Sequence, residues 1–303
     1  MAEIILHHYD TSPFSEKVRV MLGVKGLAWR SVIQPVIMPK PELIPLTGGY
    51  RRIPVMQIGA DVYCDTQVIL AELEARHPTP PVVRGADWAV NLWADRLWFQ
   101  ASVAVVFGAL GDAVPKAFIE DREKLSGRAF DVAAMKAAAP VARSQWRAFA
   151  AWVEQGLTGG KFLGGSTASL SDVAAYMNVW WLGAAAPGVA EELLAGFAQT
   201  QDWRARMAAI GHGRPREMSG AEALNVAMTS SPGPAPPSDP ADSGGFSPGD
   251  AVAVRADDYG RDPVAGRLVA LTADRLVLAR ECGELDLLHV HFPRVGYVLA
   301  RSG

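Results

Sequence analysis

Cysteine is nearly missing from this chain, with Cys64 and Cys282 the two in 303 residues. They form neither a CxxC pair nor part of a ligand cluster, so the sequence implies no disulfide framework, no zinc module and no metal. Charge of one sign is also scarce: 29 Lys and Arg against 32 Asp and Glu leave a formal −3 at pH 7. That balance argues against an affinity built on neutralising phosphates, and no nucleic-acid partner is expected. No apolar run reaches the ~18 residues of a membrane span. The start, Met1-Ala2-Glu3-Ile4-Ile5-Leu6-His7-His8, has no basic segment leading into a long apolar one. These absences lead to the expectation of a cytoplasmic protein with no membrane partner.

What is present divides the chain. Residues 230–245 contain 12 Pro, Gly or Ser in 16 positions and no apolar side chain larger than Ala. Such a stretch buries too little surface to offset its ordering entropy, and 229–245 reads as a linker. Beyond it, at 246–303, short apolar runs are punctuated by Gly, Pro and Asp: Val252 and Val254, then 268–271, 276–278, 287–291 and 297–299. Five short strands suggest a small all-β SH3-like barrel, folded as its own unit. Upstream, a second break falls at Pro78-Thr79-Pro80-Pro81. Residues 1–80 read as β-α-β followed by β-β-α, which makes a small α/β domain. Residues 86–228, rich in Ala, Leu, Trp and Arg without strand-like alternation, read as all-helical.

Two stretches carry chemistry. In Tyr9-Asp10-Thr11-Ser12-Pro13-Phe14-Ser15-Glu16-Lys17-Val18-Arg19 a strand gives way to a helix, with Ser12 at the N-cap and Pro13 at the first helical position. Ser12 can simply cap the helix; the same hydroxyl and free N–H groups also suit an anion, including a thiolate. In the second stretch, Arg51 to Thr66, Pro54 opens a strand without an amide to donate. Asp65-Thr66 then opens another helix, where N-capping is again the plain structural role.

In this order the two stretches resemble the N-terminal thioredoxin-like domain of the cytosolic glutathione transferases, bacterial and serine-type. Ser-Pro-Phe-Ser-x-Lys-Val-Arg, followed by Leu-Gly-Val-Lys-Gly, is similar to the first helix of the serine classes. Ile-Pro-Val-x-x-x-Gly-Ala-x-x-x-x-Asp-Thr-x-x-Ile is similar to the glutathione-binding segment. Phe162 to Val173, with Ser169-x-x-Asp172, resembles the family's buried capping box and reports fold rather than catalysis. The resemblance spans about residues 1 to 225 and implies a thioredoxin-like domain, a helical domain and a homodimer.

By that resemblance, glutathione is a co-substrate and no cofactor is tightly bound. Ser12 would donate to the glutathione sulfur, with Ser15 as the rival hydroxyl one turn into the helix. Ile53, joined by a cis peptide to Pro54, would pair with the cysteinyl part, and Asp65 and Thr66 would hold the γ-glutamyl amine and carboxylate. Lys40 is the first choice for the glycyl carboxylate and Arg52 the second. Of the aromatic residues in the helical region, Trp98 and Phe107 are chosen to line the electrophile pocket. Two departures stand out: the family more often has Glu-Ser at the Asp65-Thr66 positions, and cysteine stands at the Ser12 position in its thiol-transferring classes. His289 and His291 share a strand face without a third ligand. The reading is a detoxifying transferase that adds the glutathione thiolate to a small electrophile. Its alternative is a non-catalytic module of the same fold acting through protein partners.

Overall fold

The computed structural model describes residues 3–241, 244–283 and 285–302. Ser12 accepts a hydrogen bond from the Ser15 amide, and Pro13 fixes the first φ of the helix. Strand β1 (Ile5–His8) therefore passes into α1 (Pro13–Val24) within five residues. β2 (Ala28–Ile33) returns parallel to β1. After a short turn, α2 (Ile44–Thr47), come β3 (Val55–Ile58), antiparallel to β1, β4 (Asp61–Cys64) and α3 (Thr66–Arg76). This is the α/β order that the sequence predicts.

The helical half runs α4 (Asp87–Trp93), a π-helical turn (Ala94–Trp98) and α5 (Phe99–Leu110), then α6 (Lys116–Ser126), α7 (Val132–Gly156), α8 (Leu170–Ala185), α9 (Pro187–Leu194) and α10 (Ala198–Ile210). α8 is buried nearly all round and lies at the centre of this half. The capping box at its start is formed, and Asp172 accepts from the Leu163, Gly164 and Ser169 amides, the Ser169 hydroxyl and the Trp203 indole. The chain then returns to the sheet. β5 (Arg214–Glu217) adds to β2 in parallel, and α11 (Gly220–Met228) follows on a second capping box, Ser219 with Glu222. The helical reading of 86–228 is therefore corrected at 214–217, where four exposed residues, Arg-Pro-Arg-Glu, carry no strand-like alternation to read.

The C-terminal strands are β6 (Ala251–Ala256), β7 (Val264–Leu271), β8 (Arg275–Cys282), β9 (Leu285–Pro293) and β10 (Tyr297–Arg301). They do not form a separate unit. β9 pairs in parallel with β4, Asp61 opposite His289 and Tyr63 opposite His291, so one sheet of ten strands runs β10-β6-β7-β8-β9-β4-β3-β1-β2-β5. The five strands pair in the order β10-β6-β7-β8-β9, with bulges in the β7–β8 and β8–β9 pairs, and the outer edge of β9 is taken by β4, so the segment expected to fold on its own is joined to the α/β sheet. Leu43, Leu46, Val55 and Val62 share one core with Leu276, Leu288, Val290 and Phe292. The expected linker follows this surface: the Gly233 amide donates to Asp61 at 2.7 Å and the Asp239 amide to the Leu271 carbonyl at 2.8 Å. Strand periodicity shows that a segment is half-buried, but carries no information on which sheet edge it joins.

Candidate active site

Between the two halves lies a cavity of about 580 Å³. Tyr9, Ser12 and Phe14 from the β1–α1 junction form one side, and Ile53 a second. The Ser12 hydroxyl is buried at the N-cap of α1 and accepts from the Ser15 amide at 3.1 Å. Its own proton meets no acceptor among the described residues, so it is free to donate into the cavity. Ser15 is fully buried without a partner for its hydroxyl and does not reach the cavity. The Ile53-Pro54 peptide is cis.

Asp65 and Thr66 border a smaller slot of about 50 Å³ at the Pro54 end of this cleft. Asp65 is the sole described non-glycine residue with positive φ, at 88°, a conformation costing about 1–3 kcal/mol that persists where surrounding contacts enforce it. Its Oδ1 accepts from the Gln67 amide at 2.9 Å, capping α3, and its Oδ2 accepts from the Tyr297 hydroxyl at 3.0 Å. Thr66 Oγ1 accepts from Lys17 Nζ at 3.3 Å, and the same ammonium pairs with Asp95 at 2.7 Å. Burial raises the Asp95 carboxyl despite the Lys17 charge beside it. Lys17 falls within the first motif without a role assigned to it, and Asp95, which no motif marks, stands in the π-helical turn.

The two cations chosen for the glycyl carboxylate both border the large cavity, and both have partners within the chain. Lys40 donates to the Pro35 carbonyl, and burial, followed by the Arg122 charge, lowers its ammonium to about 8. Arg52 pairs with Asp258 and lies 3.9 Å from the Tyr259 ring centroid. Asp258 and Tyr259 come from the loop between β6 and β7 and Tyr297 from β10, and no motif in that part of the sequence marks them.

Phe107 lines the cavity, packed with Phe118 at 5.5 Å, Phe130 at 4.8 Å and Trp181 at 5.7 Å between ring centroids. Trp98 does not. It is fully buried in the helical core at the end of the π-helical turn, 5.2 Å from Trp93 and 5.5 Å from Trp146. Phe99, the next residue, takes that place and stacks on Trp181. His289 and His291 flank Asp61 at the β4–β9 seam, His291 at 2.9 Å. Among the described residues no group of three His, Cys, Asp or Glu is placed to hold a metal ion. No described helix is long and apolar enough to cross a membrane.

Residues 6–81 match the glutathione S-transferase N-terminal domain and residues 93–206 the C-terminal domain. A GST-like protein from Pseudomonas syringae is similar over 100% of both chains, with 35% identity and a TM-score of 0.81. A glutathione S-transferase from Rhodospirillum rubrum F11 is 17% identical, covering 76% of this chain and 94% of its own, with a TM-score of 0.55. FzlA from C. crescentus is 21% identical over 77% of this chain and 96% of its own, with a TM-score of 0.52. These last two share the fold. No curated protein matches. The chain belongs to the glutathione S-transferase superfamily.

Proposed function

We propose that this protein adds the thiolate of glutathione to an electrophilic carbon of a small molecule. The observation that carries the reading is a capping hydroxyl with an undirected proton, Ser12, facing a cavity bordered by Ile53 and adjoined by the slot of Asp65 and Thr66. Ser12 stabilises the sulfur as an anion. A two-unit drop in the thiol pKa corresponds to about 2.7 kcal/mol, within the range of a charge-assisted bond at a helix terminus. The carbon–sulfur bond forms as the leaving group departs with its electron pair, or as the pair moves onto an adjacent acceptor. Holding the two reactants together supplies the rest of the acceleration. Ile53 pairs with the cysteinyl backbone, Asp65 and Thr66 hold the γ-glutamyl end, and Lys40 takes the glycyl carboxylate. The aromatic wall around Phe107 takes the electrophile. A homodimer belongs to this reading, as the assembly common in the family.

One observation favours a second reading: Asp258 already neutralises Arg52 at the rim of the cleft. In a non-catalytic module the C-terminal strands would fill the cleft and the surface would bind a protein partner. Calorimetric titration with glutathione, then a panel of electrophiles, separates the two. For the enzyme, Ser12→Ala keeps glutathione affinity, raises the pKa of the bound thiol, and lowers turnover about ten- to a thousandfold at neutral pH. Unchanged thiol pKa and rate in that variant would remove Ser12 from the mechanism.

A further inference from the structure

The Asp65 carboxylate is held from outside the glutathione-transferase halves. Its second oxygen takes the hydroxyl of Tyr297, the first residue of β10, whose ring packs against Phe292 at 5.5 Å and whose oxygen lies 3.3 Å from that of Tyr50. Tyr297 is buried, and burial pushes its phenol well above 10, so the hydroxyl remains a donor throughout the working range. The neighbouring turn is anchored as well, since Gln67 Nε2 donates to the Val295 carbonyl at 3.2 Å.

The loop between β6 and β7 closes the same end of the cleft. Asp258 pairs with Arg52, Asp257 pairs with Arg96 at 2.7 Å, and the Gly260 amide donates to the Leu125 carbonyl at 2.8 Å. The loop thus touches both halves of the transferase fold. Gly260 has φ +58°, a conformation that favours glycine, and a Cβ there would stand 2.9 Å from Leu125 Cδ1 and 3.0 Å from Arg52 Nε and would displace those side chains. What these groups leave is the slot of about 50 Å³ among Phe14, Asp65, Thr66, Tyr259 and Tyr297. The slot is far smaller than the main cavity, and the Asp65 carboxylate stands on its wall.

We propose that the C-terminal strands complete the glutathione site within one chain, and that Tyr297 is a positioning residue that aims Asp65 at a free γ-glutamyl ammonium. The proposal rests on the glutathione reading above. An ionised carboxylate offers about four lone-pair sites. The Gln67 amide and the Tyr297 hydroxyl use one on each oxygen and fix the plane of the group, leaving the other sites turned to the slot. A carboxylate fixed before binding loses no rotational freedom when the ammonium arrives. The carboxylate makes the selection: a thiol lacking the γ-glutamyl group leaves Asp65 unmatched, and one acetylated on that nitrogen brings a neutral amide in place of the ammonium.

The full chain and its Tyr297→Phe variant are titrated by calorimetry with glutathione, cysteinylglycine, and glutathione acetylated on the glutamyl nitrogen. The natural chain is expected to bind glutathione at least about tenfold more tightly than either other thiol, the scale of one hydrogen-bonded charge. The variant, which keeps the ring and its contact with Phe292, is expected to lose about tenfold in glutathione affinity and most of this discrimination. A general loosening of the fold would weaken all three ligands together and leave their ratios unchanged. Ratios equal in the two proteins, or a natural chain that does not distinguish the three thiols, would overturn the proposal while leaving the glutathione reading intact. A natural chain that binds none of them would overturn both.

Discussion

Asp172, in the first turn of α8, and Asp65, at the start of α3, are carboxylates in the same local setting with different surroundings. Asp172 is fully buried and takes hydrogen bonds from three backbone amides, a hydroxyl and an indole, all within the helical half. Asp65 sits at φ 88°, takes one amide and one phenol, and opens on a slot. The difference separates a carboxylate that organises a fold from one with capacity left for a ligand. A saturated acceptor has no lone pair to offer, whereas a strained, partly used one does.

The largest test of that contrast is to end the chain at Ser230. The cut removes Tyr297 and β9 from the surroundings of Asp65 and leaves those of Asp172 untouched. It also uncovers Leu43, Leu46, Val55 and Val62 and frees the β4 edge for pairing with other chains. We expect insoluble protein, judged by the soluble fraction after expression. A soluble truncated chain with full glutathione affinity would make the C-terminal strands an accessory.

Next in size is the pair Asp172→Ala and Asp65→Ala. The first takes the acceptor from five donors, the Ser169 amide and the Trp203 indole among the buried ones, and is expected to cost about 3–5 kcal/mol in chemical denaturation. The second relieves nothing at the positive φ but removes one cap, for about 1 kcal/mol, and its main loss should be in glutathione affinity. If the two variants lose equal stability, the contrast between fold and site carboxylates fails.

The remaining test is pH, which acts on the sheet beneath both helices. Burial lowers His7 from its ordinary 6.5 to about 4 and His8 to about 3, the second also through the Arg19 charge. The unfolded chain binds protons on these rings at a pH where the folded one does not, so their contribution is complete above about pH 6.5. It is lost progressively as the pH falls toward the folded values, by about 2 kcal/mol for His7 at about pH 5. Denaturation midpoints measured at about pH 8 and about pH 5 check this, and His7→Gln, which keeps a polar partner for Gln57, should flatten the fall.

Much of the site could be read without coordinates. Ser12 before Pro13 fixes where α1 starts, and Asp65-Thr66 fixes where α3 starts, because caps and proline act over three or four residues that are neighbours in the chain. The capping box Ser169-x-x-Asp172 is legible on the same ground. Trp98 and Phe99 show the limit. Adjacent aromatics on one helix point about 100° apart, and the packing of the two halves decides which of them faces the cleft.

What the sequence determined alone, then, is what local geometry determines: the α/β order of the first 80 residues, the helical run after it, and a hydroxyl placed at a helix start. The tertiary structure decided the rest. That β9 joins β4, that Asp258 meets Arg52, and that Tyr297 reaches Asp65 are contacts between residues about 200 or more positions apart. Nothing in the local pattern around Tyr297 or Asp258 names a partner, since period-two alternation specifies a buried face and leaves the choice of edge to whatever surface the folded core presents.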